Sequence, residues 1–299
     1  MPERINLDNL IKREKIYMKK ISLIVLLCVG ILLSGVLSGC MKGTDIDKNN
    51  GYVVLEENFG AEEYGIGFRA SDIAFGLEVQ KYLDEMINDD KASEISNKWF
   101  GKDSMIKDAP FKEESTAPEG DDSLQKIKDK GFFTVGLDAS FPPMGFTESN
   151  GEIVGFDIDL AREVAKRMGV ELKTQPIEWD AKEMELSSGK IDCIWNGMTI
   201  DEARLKEMYF TKAYINNRQI IIVPEGSAIK TKADLEGKTI GLQKGSSALK
   251  AVDKDPVKSK IGKIEVYENN QLAFADLKIG RIDALVVDEV VGRYLVEKA

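Results

Sequence analysis

The chain has 299 residues, of which 43% are hydrophobic and 31% charged, so it is predicted to form one or two globular domains and not a disordered or collagen-like chain. Its net charge of -10 provides no basic surface for nucleic acid, which is therefore not an expected partner. The absence of histidine and the presence of only three cysteines exclude a histidine-based triad, a zinc site and a disulfide framework. We expect neither a metal ion nor a cofactor.

The first forty residues have the pattern of an export signal. Met18-Lys19-Lys20 is basic, and the following stretch from Ile21 to Leu37 is mostly apolar. A run of this length also suits an uncleaved membrane anchor, which would likewise place the chain outside the cell. The basic start and the small residues at the end favour a cleaved signal peptide over residues 1–39, with Met18 as the alternative translation start.

The segment Leu37-Ser38-Gly39-Cys40 resembles the bacterial lipobox. That resemblance implies cleavage before Cys40, lipidation of its thiol and attachment to the outer face of the cell membrane through the lipid alone. Residues 40–50 are polar and typical of a tether. Cys193 lies in an apolar run, where a small core residue is expected, because no histidine is present to activate the thiol.

Strand and helix signals alternate after residue 50, which favours α/β layers with mostly parallel sheets. Phe132–Leu137 and Ile220–Val223 have strand patterns. Apolar residues at helical spacing predict a helix over Asp157–Met168, with Asp157 as its N-cap. Residues 107–122 are rich in Pro, Glu, Asp and Ser, and indicate a linker.

A weak internal repeat accompanies this alternation. Gly189-Lys190-Ile191-Asp192 is echoed by Gly280-Arg281-Ile282-Asp283, and each follows a strand, a polar loop and a helix. The echo indicates either turn chemistry shared by chance or two similar lobes that face each other. Two such lobes would form a cleft at their interface, where ligands commonly bind.

Five short segments resemble the bacterial extracellular solute-binding proteins of polar amino-acid ABC transporters. They follow in the family's order: Asp138–Phe146, Gly155–Ala161, Asn196–Arg204, Gly241–Ser247 and Asp283–Glu289. The resemblance implies a two-lobed α/β fold of the periplasmic-binding-protein type (type II), in which each lobe is a mostly parallel sheet flanked by helices. It also implies a cleft between the lobes that captures a free amino acid for the permease subunits of an ABC importer.

Residues 51–105 resemble the end of such a protein, although they come first here. We therefore expect a circular permutation in which residues 107–122 bridge the original termini. Lobe 1 would comprise residues 66–106 and 123–217, and lobe 2 would comprise residues 51–65 and 218–299. If residues 51–106 formed a separate domain instead, the rest of the chain would be a truncated receptor.

The resemblance also implies four residues that bind the charged groups of an amino acid. Arg204 suits the carboxylate, because a guanidinium offers a planar pair of donors; a surface ion pair with its acidic neighbours is the alternative. Asp288 suits the ammonium group, or else caps the helix that follows. Ser246 and Ser247 suit an anion at a helix N-terminus, or cap that helix, and both roles can hold.

Four further positions match the cleft of the family. Gly197 and Thr199 match residues that give a carbonyl and a hydroxyl to the ammonium and carboxylate groups. Phe141 and Trp179 match aromatic residues that flank the ligand side chain, with core packing as the alternative.

Asp138 and Gln243 match positions at the side-chain end of the ligand. A carboxylate beside an amide favours a polar or cationic side chain over an aliphatic one. The sequence therefore predicts an extracellular amino-acid-binding lipoprotein and not an enzyme. Two alternatives stay open: a prephenate or arogenate dehydratase on the same fold, for which no general acid can be named, and a sensory binding module.

Overall fold

The computed structural model describes residues 51–112 and 115–299, and Asn49–Ala299 form one compact unit. The predicted signal peptide over 1–39, the lipidated Cys40 and the tether over 40–50 lie outside the described residues. Within the described ranges, no helix is both long and apolar enough to span a bilayer.

Residues 51–106 contribute one long strand and two helices. These are strand β1 (Tyr52–Arg69), helix α1 (Ile73–Asn88) and helix α2 (Lys91–Phe100). Phe75, Val79, Leu83 and Met86 recur every three or four residues along α1 and are all buried. One face of α1 therefore belongs to the core.

Residues 123–217 alternate between helices and strands. The elements are α3 (Ser123–Lys130), β2 (Phe132–Leu137), β3 (Ser140–Phe141), β4 (Gly145–Thr147), β5 (Ile153–Val154), α4 (Phe156–Met168), β6 (Glu171–Pro176), α5 (Lys182–Ser187), β7 (Cys193–Thr199) and β8 (Met208–Phe210). The predicted strand over 132–137 is confirmed. The predicted helix is confirmed too, but it starts one residue earlier, so Asp157 lies inside α4 and the predicted N-cap role is wrong. Gly155 is the N-cap.

The last part of the chain repeats this alternation. Its elements are β9 (Ile215–Pro224), β10 (Thr239–Gln243), α6 (Ser247–Lys254), β11 (Lys263–Tyr267), α7 (Asn270–Lys278), β12 (Ala284–Asp288) and α8 (Glu289–Glu297). The run predicted as a strand over 220–223 lies in β9. Cys193 is buried in β7, as predicted for a small core residue. Its burial raises the pKa of the thiol well above the usual value.

A nine-stranded sheet has the order β11-β10-β12-β9-β1-β7-β2-β6, with β8 also paired to β1. At one end β10 is parallel to β11 and β12, and at the other β2 is parallel to β6 and β7. The central strands β1 and β9 are antiparallel to each other. Parallel ends flanked by helices confirm the predicted mixed α/β fold.

Strand β1 joins the two halves of the sheet. Its first part pairs with β9, from Tyr52 opposite Pro224 to Tyr64 opposite Ile215. Its second part pairs with β7 and β8. Residues 51–106 are therefore integrated into the sheet and do not form a separate domain. The two expected lobe boundaries, at 65/66 and 217/218, lie on neighbouring strands, because Glu62 is opposite Asn217.

The two faces of β1 contribute to different parts of the core. Val54 packs against the cluster that contains Leu285 and Val287, whereas Leu55 belongs to the cluster that contains Val286. Successive side chains of a strand point to opposite faces, which explains this division. The start of β1 thus shares both cores with β12, although β9 lies between the two strands.

The described part of the predicted linker, residues 107–112 and 115–122, contains no helix or strand. Its end is attached to the start of α1. The carboxylate of Asp121 accepts a hydrogen bond from the backbone N–H of Ala74 at 2.7 Å, and Ser123 Oγ accepts one from the N–H of Phe75 at 3.1 Å. These bonds satisfy N–H groups that the first turn of a helix leaves without intrahelical partners.

Cutting the linker should leave two fragments that stay together, because β1 is hydrogen-bonded to three strands of the other fragment. We predict that protein with a protease site inserted between Ser115 and Thr116, in the exposed stretch 115–120, elutes at the same volume in gel filtration before and after cleavage. The uncut protein is the control. Separation of the fragments in native buffer would contradict the prediction.

Candidate ligand-binding site

Nine of the ten predicted site residues line one small cavity. They are Phe141, Trp179, Gly197, Thr199, Arg204, Gln243, Ser246, Ser247 and Asp288. Most of them come from β7, β10 and β12 or from the turns that follow these strands. Strand ends of this kind carry the binding residues of many α/β proteins.

Asp138 does not line this cavity, but it contacts a residue that does. Its Oδ2 accepts a hydrogen bond from Gln243 Nε2 at 2.7 Å, and Gln243 Oε1 accepts one from Asn270 Nδ2 at 2.9 Å. Burial raises the pKa of Asp138. Asp138 and Gln243, the pair predicted at the side-chain end of the ligand, are therefore hydrogen-bonded to each other. Gln243 lines the cavity, and Asp138 lies behind it.

The two predicted aromatic residues are nearly parallel. The rings of Phe141 and Trp179 have an interplanar angle of 8°, and their centroids are 6.4 Å apart. Both side chains are buried, at 5% and 8% exposure, and both line the cavity. Parallel aromatic faces suit a flat or cationic group next to them.

Arg204 is buried at 4% exposure, so the alternative is wrong in placing it at the surface, although the ion pair with its acidic neighbour Asp201 is present. Its Nη1 donates a hydrogen bond to the Thr199 carbonyl at 2.7 Å. Its Nε is 3.7 Å from Asp201 and has no hydrogen-bond partner among the described residues. A buried guanidinium with a spare donor is suited to an anion.

Asp288 provides the negative charge of the cavity. Its Oδ1 accepts hydrogen bonds from Tyr64 Oη at 2.6 Å, Asn217 Nδ2 at 2.8 Å and Gln219 Nε2 at 2.8 Å. Burial, together with the nearby charge of Glu62, raises the pKa of Asp288 to about 7. A cation in the cavity would counteract this shift and favour the ionised carboxylate.

The capping alternatives for the site residues find no support in the described contacts. The side chain of Asp288 makes no capping hydrogen bond to α8, and that of Ser246 makes none to α6. Ser246 Oγ instead donates to the Gln243 carbonyl at 2.7 Å. The hydroxyl of Ser247 contacts Thr199 Oγ1 at 3.1 Å.

Several residues around the cavity were not predicted from the sequence. Asp157 was interpreted as a cap, but it accepts hydrogen bonds from the N–H of Gly197 at 2.8 Å and from Tyr214 Oη at 2.9 Å. Burial raises the pKa of Asp157 to about 7. Gly197 lines the cavity and has a φ of +58°, a left-handed conformation that favours glycine. Through its hydrogen bond to the Gly197 N–H, Asp157 holds this part of the cavity wall in place.

Lys182 is a second residue that the sequence did not single out. Its Nζ donates hydrogen bonds to the carbonyls of Trp179 at 3.0 Å and Gly245 at 3.2 Å, and it pairs with Glu183. Burial, with the positive charge of Arg204, lowers the pKa of Lys182 to about 8. The lysine thereby connects the residues that precede β7 with the turn that follows β10.

Comparisons with known proteins identify relatives of this chain. The L-cystine-binding protein TcyJ of Escherichia coli (strain K12) is 33% identical over 188 residues, which are 62% of this chain and 68% of TcyJ. The crystal structure of an ABC uptake transporter substrate-binding protein from Streptococcus pneumoniae with bound histidine is 37% identical. It has a TM-score of 0.58 and covers 60% of this chain and 75% of its own.

A third relative connects binding proteins with an enzyme. The ancestral amino acid-binding protein AncCDT-1, a precursor of cyclohexadienyl dehydratase, is 36% identical, with a TM-score of 0.56 over 59% of this chain and 78% of its own. A family model described as bacterial extracellular solute-binding proteins, family 3, matches residues 133–284. Half of the chain lies within that match, so the chain belongs to the bacterial extracellular solute-binding proteins of family 3.

Proposed function

We propose that the protein binds a free polar or cationic amino acid outside the cell and delivers it to an ABC importer. One observation carries the proposal: Arg204 and Asp288, buried charges of opposite sign from lobes 1 and 2, line the same cavity. An amino acid has a carboxylate and an ammonium on one carbon atom. Such a ligand would satisfy both charges once water is excluded.

The orientation of the ligand follows from the donors and acceptors of the cavity. The carboxylate would bind Arg204 and the backbone N–H groups at the start of α6, where Ser246 and Ser247 lie. The ammonium would bind Asp288, the Thr199 hydroxyl and the Gly197 carbonyl. The ligand side chain would extend between the aromatic rings towards Gln243, which Asp138 holds.

A polar or cationic side chain is favoured at that end. Gln243 presents an amide, and the charge of Asp138 is one hydrogen bond away. The names of two relatives mention cystine and histidine, both polar, although neither determines the ligand of this chain. Phe141 and Trp179 would stack on a flat guanidinium, amide or imidazole group.

A dehydratase remains the second candidate, since AncCDT-1 is a precursor of such an enzyme. Its chemistry needs a general acid beside a leaving hydroxyl group. The carboxyl that lines the cavity, Asp288, accepts three hydrogen bonds at Oδ1, which favours a role as acceptor. A dehydratase assay with prephenate and arogenate separates the two functions.

We also propose that the chain is a circularly permuted member of its family and is anchored at Cys40. The permutation is supported by β1, which lies outside the family match over 133–284 and yet pairs with β7 inside it. The anchor is supported by the lipobox-like sequence before Cys40. The predicted lobes and the linker over 107–122 keep their boundaries in this proposal.

Closure of the cleft on a ligand would use contacts between the two lobes. Polar contacts between them include those of Asp138 with Gln243, Asp180 with Lys244, Lys182 with the Gly245 carbonyl, and Asp201 with Lys250. Gly245 has a φ of +67°, and an added Cβ would lie 2.9 Å from the Cα of Asp180. This approach requires glycine, because backbone atoms cannot move aside like a flexible side chain.

Gly245→Ala should therefore weaken ligand binding by about tenfold or more, since the methyl group would keep the lobes apart. Affinity would be measured by calorimetry for the amino acid that ranks first in a thermal-shift screen of all twenty. Gly226→Ala is the matched control, because Gly226 has a φ of +80° but nothing within 4 Å of the added Cβ. Equal losses in both variants would show that backbone strain, and not closure, is responsible.

Arg204→Ala and Asp288→Ala should each abolish tight binding of free amino acids. Removal of one partner of a buried charge pair costs about 2–5 kcal/mol, which lowers affinity by a factor of about 30 or more. Arg162→Ala, at an exposed pair with Asp159, is the control. Near-wild-type affinity in both cavity variants, with unchanged melting temperatures, would refute the amino-acid hypothesis.

Asp138→Asn should reduce the affinity for arginine more than the affinity for glutamine, because only arginine carries a side-chain charge that this carboxylate attracts. Calorimetric titration of both amino acids gives the ratio. Asp129→Asn, on the exposed end of α3, should leave the ratio unchanged. If leucine or valine binds best to the wild-type protein, the assignment of the side-chain end is wrong.

A further inference from the structure

Glu62, a residue of β1 that was not among the predicted site residues, lies where the two lobes meet. Its Oε2 accepts hydrogen bonds from Thr199 Oγ1 at 3.0 Å and from Ser247 Oγ at 3.2 Å. Both hydroxyls line the cavity, one from each lobe. The same oxygen accepts bonds from Gln219 Nε2 at 2.9 Å and Asn217 Nδ2 at 3.1 Å.

The carboxylate of Glu62 controls what the two hydroxyl groups can offer a ligand. A hydroxyl has one proton to donate and two lone pairs that accept. When the proton of Thr199 Oγ1 points to Glu62, only lone pairs face the cavity. Ser247 Oγ also donates to Glu62 and accepts from Gln219 Nε2 at 3.0 Å, which leaves its backbone N–H as its donor for a ligand.

A second carboxylate is held by the same amide groups. Asn217 Nδ2 and Gln219 Nε2 each contact both Glu62 Oε2 and Asp288 Oδ1 at 2.8–3.1 Å. The donors that hold these two carboxylates together are neutral. This end of the cavity therefore has the carboxyl group of Asp288 and a hydroxyl lone pair in its lining and the carboxylate of Glu62 behind the two hydroxyls, which is an environment for a cation.

The orientation of Gln219 provides independent support. Its Oε1 is buried and has no hydrogen-bond partner among the described residues, whereas its Nε2 contacts three oxygen atoms. An unsatisfied buried carbonyl costs about 1–3 kcal/mol. The reverse orientation would direct that carbonyl at both carboxylates, so their charges fix the amide as it is.

We propose that Glu62 is a specificity-determining positioning residue: it fixes the Thr199 and Ser247 hydroxyls as acceptors and, with Asp288, restricts this end of the cavity to the ammonium group of the ligand. The inference rests on the proposed function and adds a second carboxylate to it. If the inference is correct, Glu62 contributes, in addition to Asp288, to the weaker binding of an analogue that has no ammonium group.

The test compares L-arginine and L-glutamine with their desamino analogues, in which hydrogen replaces the ammonium group. Calorimetry and competition would give the affinity ratio of each pair for the wild-type protein, Glu62→Gln and Glu63→Gln. Glu63 is the matched control, because its side chain pairs with Lys112 at 3.0 Å. Melting temperatures would establish that all three proteins are folded.

We expect Glu62→Gln to reduce the preference for the amino form by about tenfold or more, and Glu63→Gln to preserve it. An unchanged affinity ratio in Glu62→Gln would overturn the inference. If both affinities fell equally, the role of Glu62 would be merely structural. If the wild-type protein binds none of the twenty amino acids, the proposed function itself fails. That result is distinct from binding that does not depend on Glu62.

Discussion

The antiparallel pairing of β1 with β9 is the contact on which the rest of the structure depends. The two strands lie in the centre of the sheet and connect its two parallel ends. Their register places Glu62 opposite Asn217. Because side chains alternate along a strand, Glu62 and Tyr64 share one face, as do Asn217 and Gln219 on the partner strand. A slip of one residue would replace this polar set with its outward-facing neighbours.

That register brings four polar side chains to the carboxylate at the end of β12. Tyr64, Asn217 and Gln219 donate to Asp288, and Glu62 shares the two amide donors. Burial of a carboxylate is unfavourable unless hydrogen bonds or a counter-charge compensate for lost water. Here the hydrogen bonds come from neutral groups, and the pKa of Asp288 is raised to about 7 by its burial and by Glu62. The network thus positions the carboxyl group but provides no counter-charge for it.

The sequence indicated those parts of the site that lie in local motifs. Thr199, Gln243 and Asp288 each end an apolar strand, so a strand pattern and a short motif are enough to place them at the same edge of the sheet. Glu62 and Asn217 are 155 positions apart, and they meet only through the register of β1 and β9. No local pattern specifies that register.

Asp157 shows how a correct local pattern can still give the wrong role. An aspartate at the start of a helical pattern is typical of an N-cap. Here the N-cap is Gly155, at a φ of +144°, and α4 begins at Phe156. Asp157 is therefore free to accept a hydrogen bond from the N–H of Gly197. Asp138 was predicted at the side-chain end of the ligand, and its carboxylate accepts a hydrogen bond from the amide of Gln243 in β10. In both cases the partner is distant in sequence and outside any local pattern.

The energetics of the cleft follow from where its charges lie. The ion pairs Asp180–Lys244 and Asp201–Lys250 lie at partly exposed positions, where such pairs contribute about 0–1 kcal/mol each. Arg204 and Asp288, by contrast, are buried, and the side-chain donors to Asp288 are all neutral groups. If the cleft closes on a ligand as proposed, the closed state would gain most from a molecule that carries both complementary charges. A zwitterion is such a molecule, and its differential affinity for the closed state would shift the population towards it.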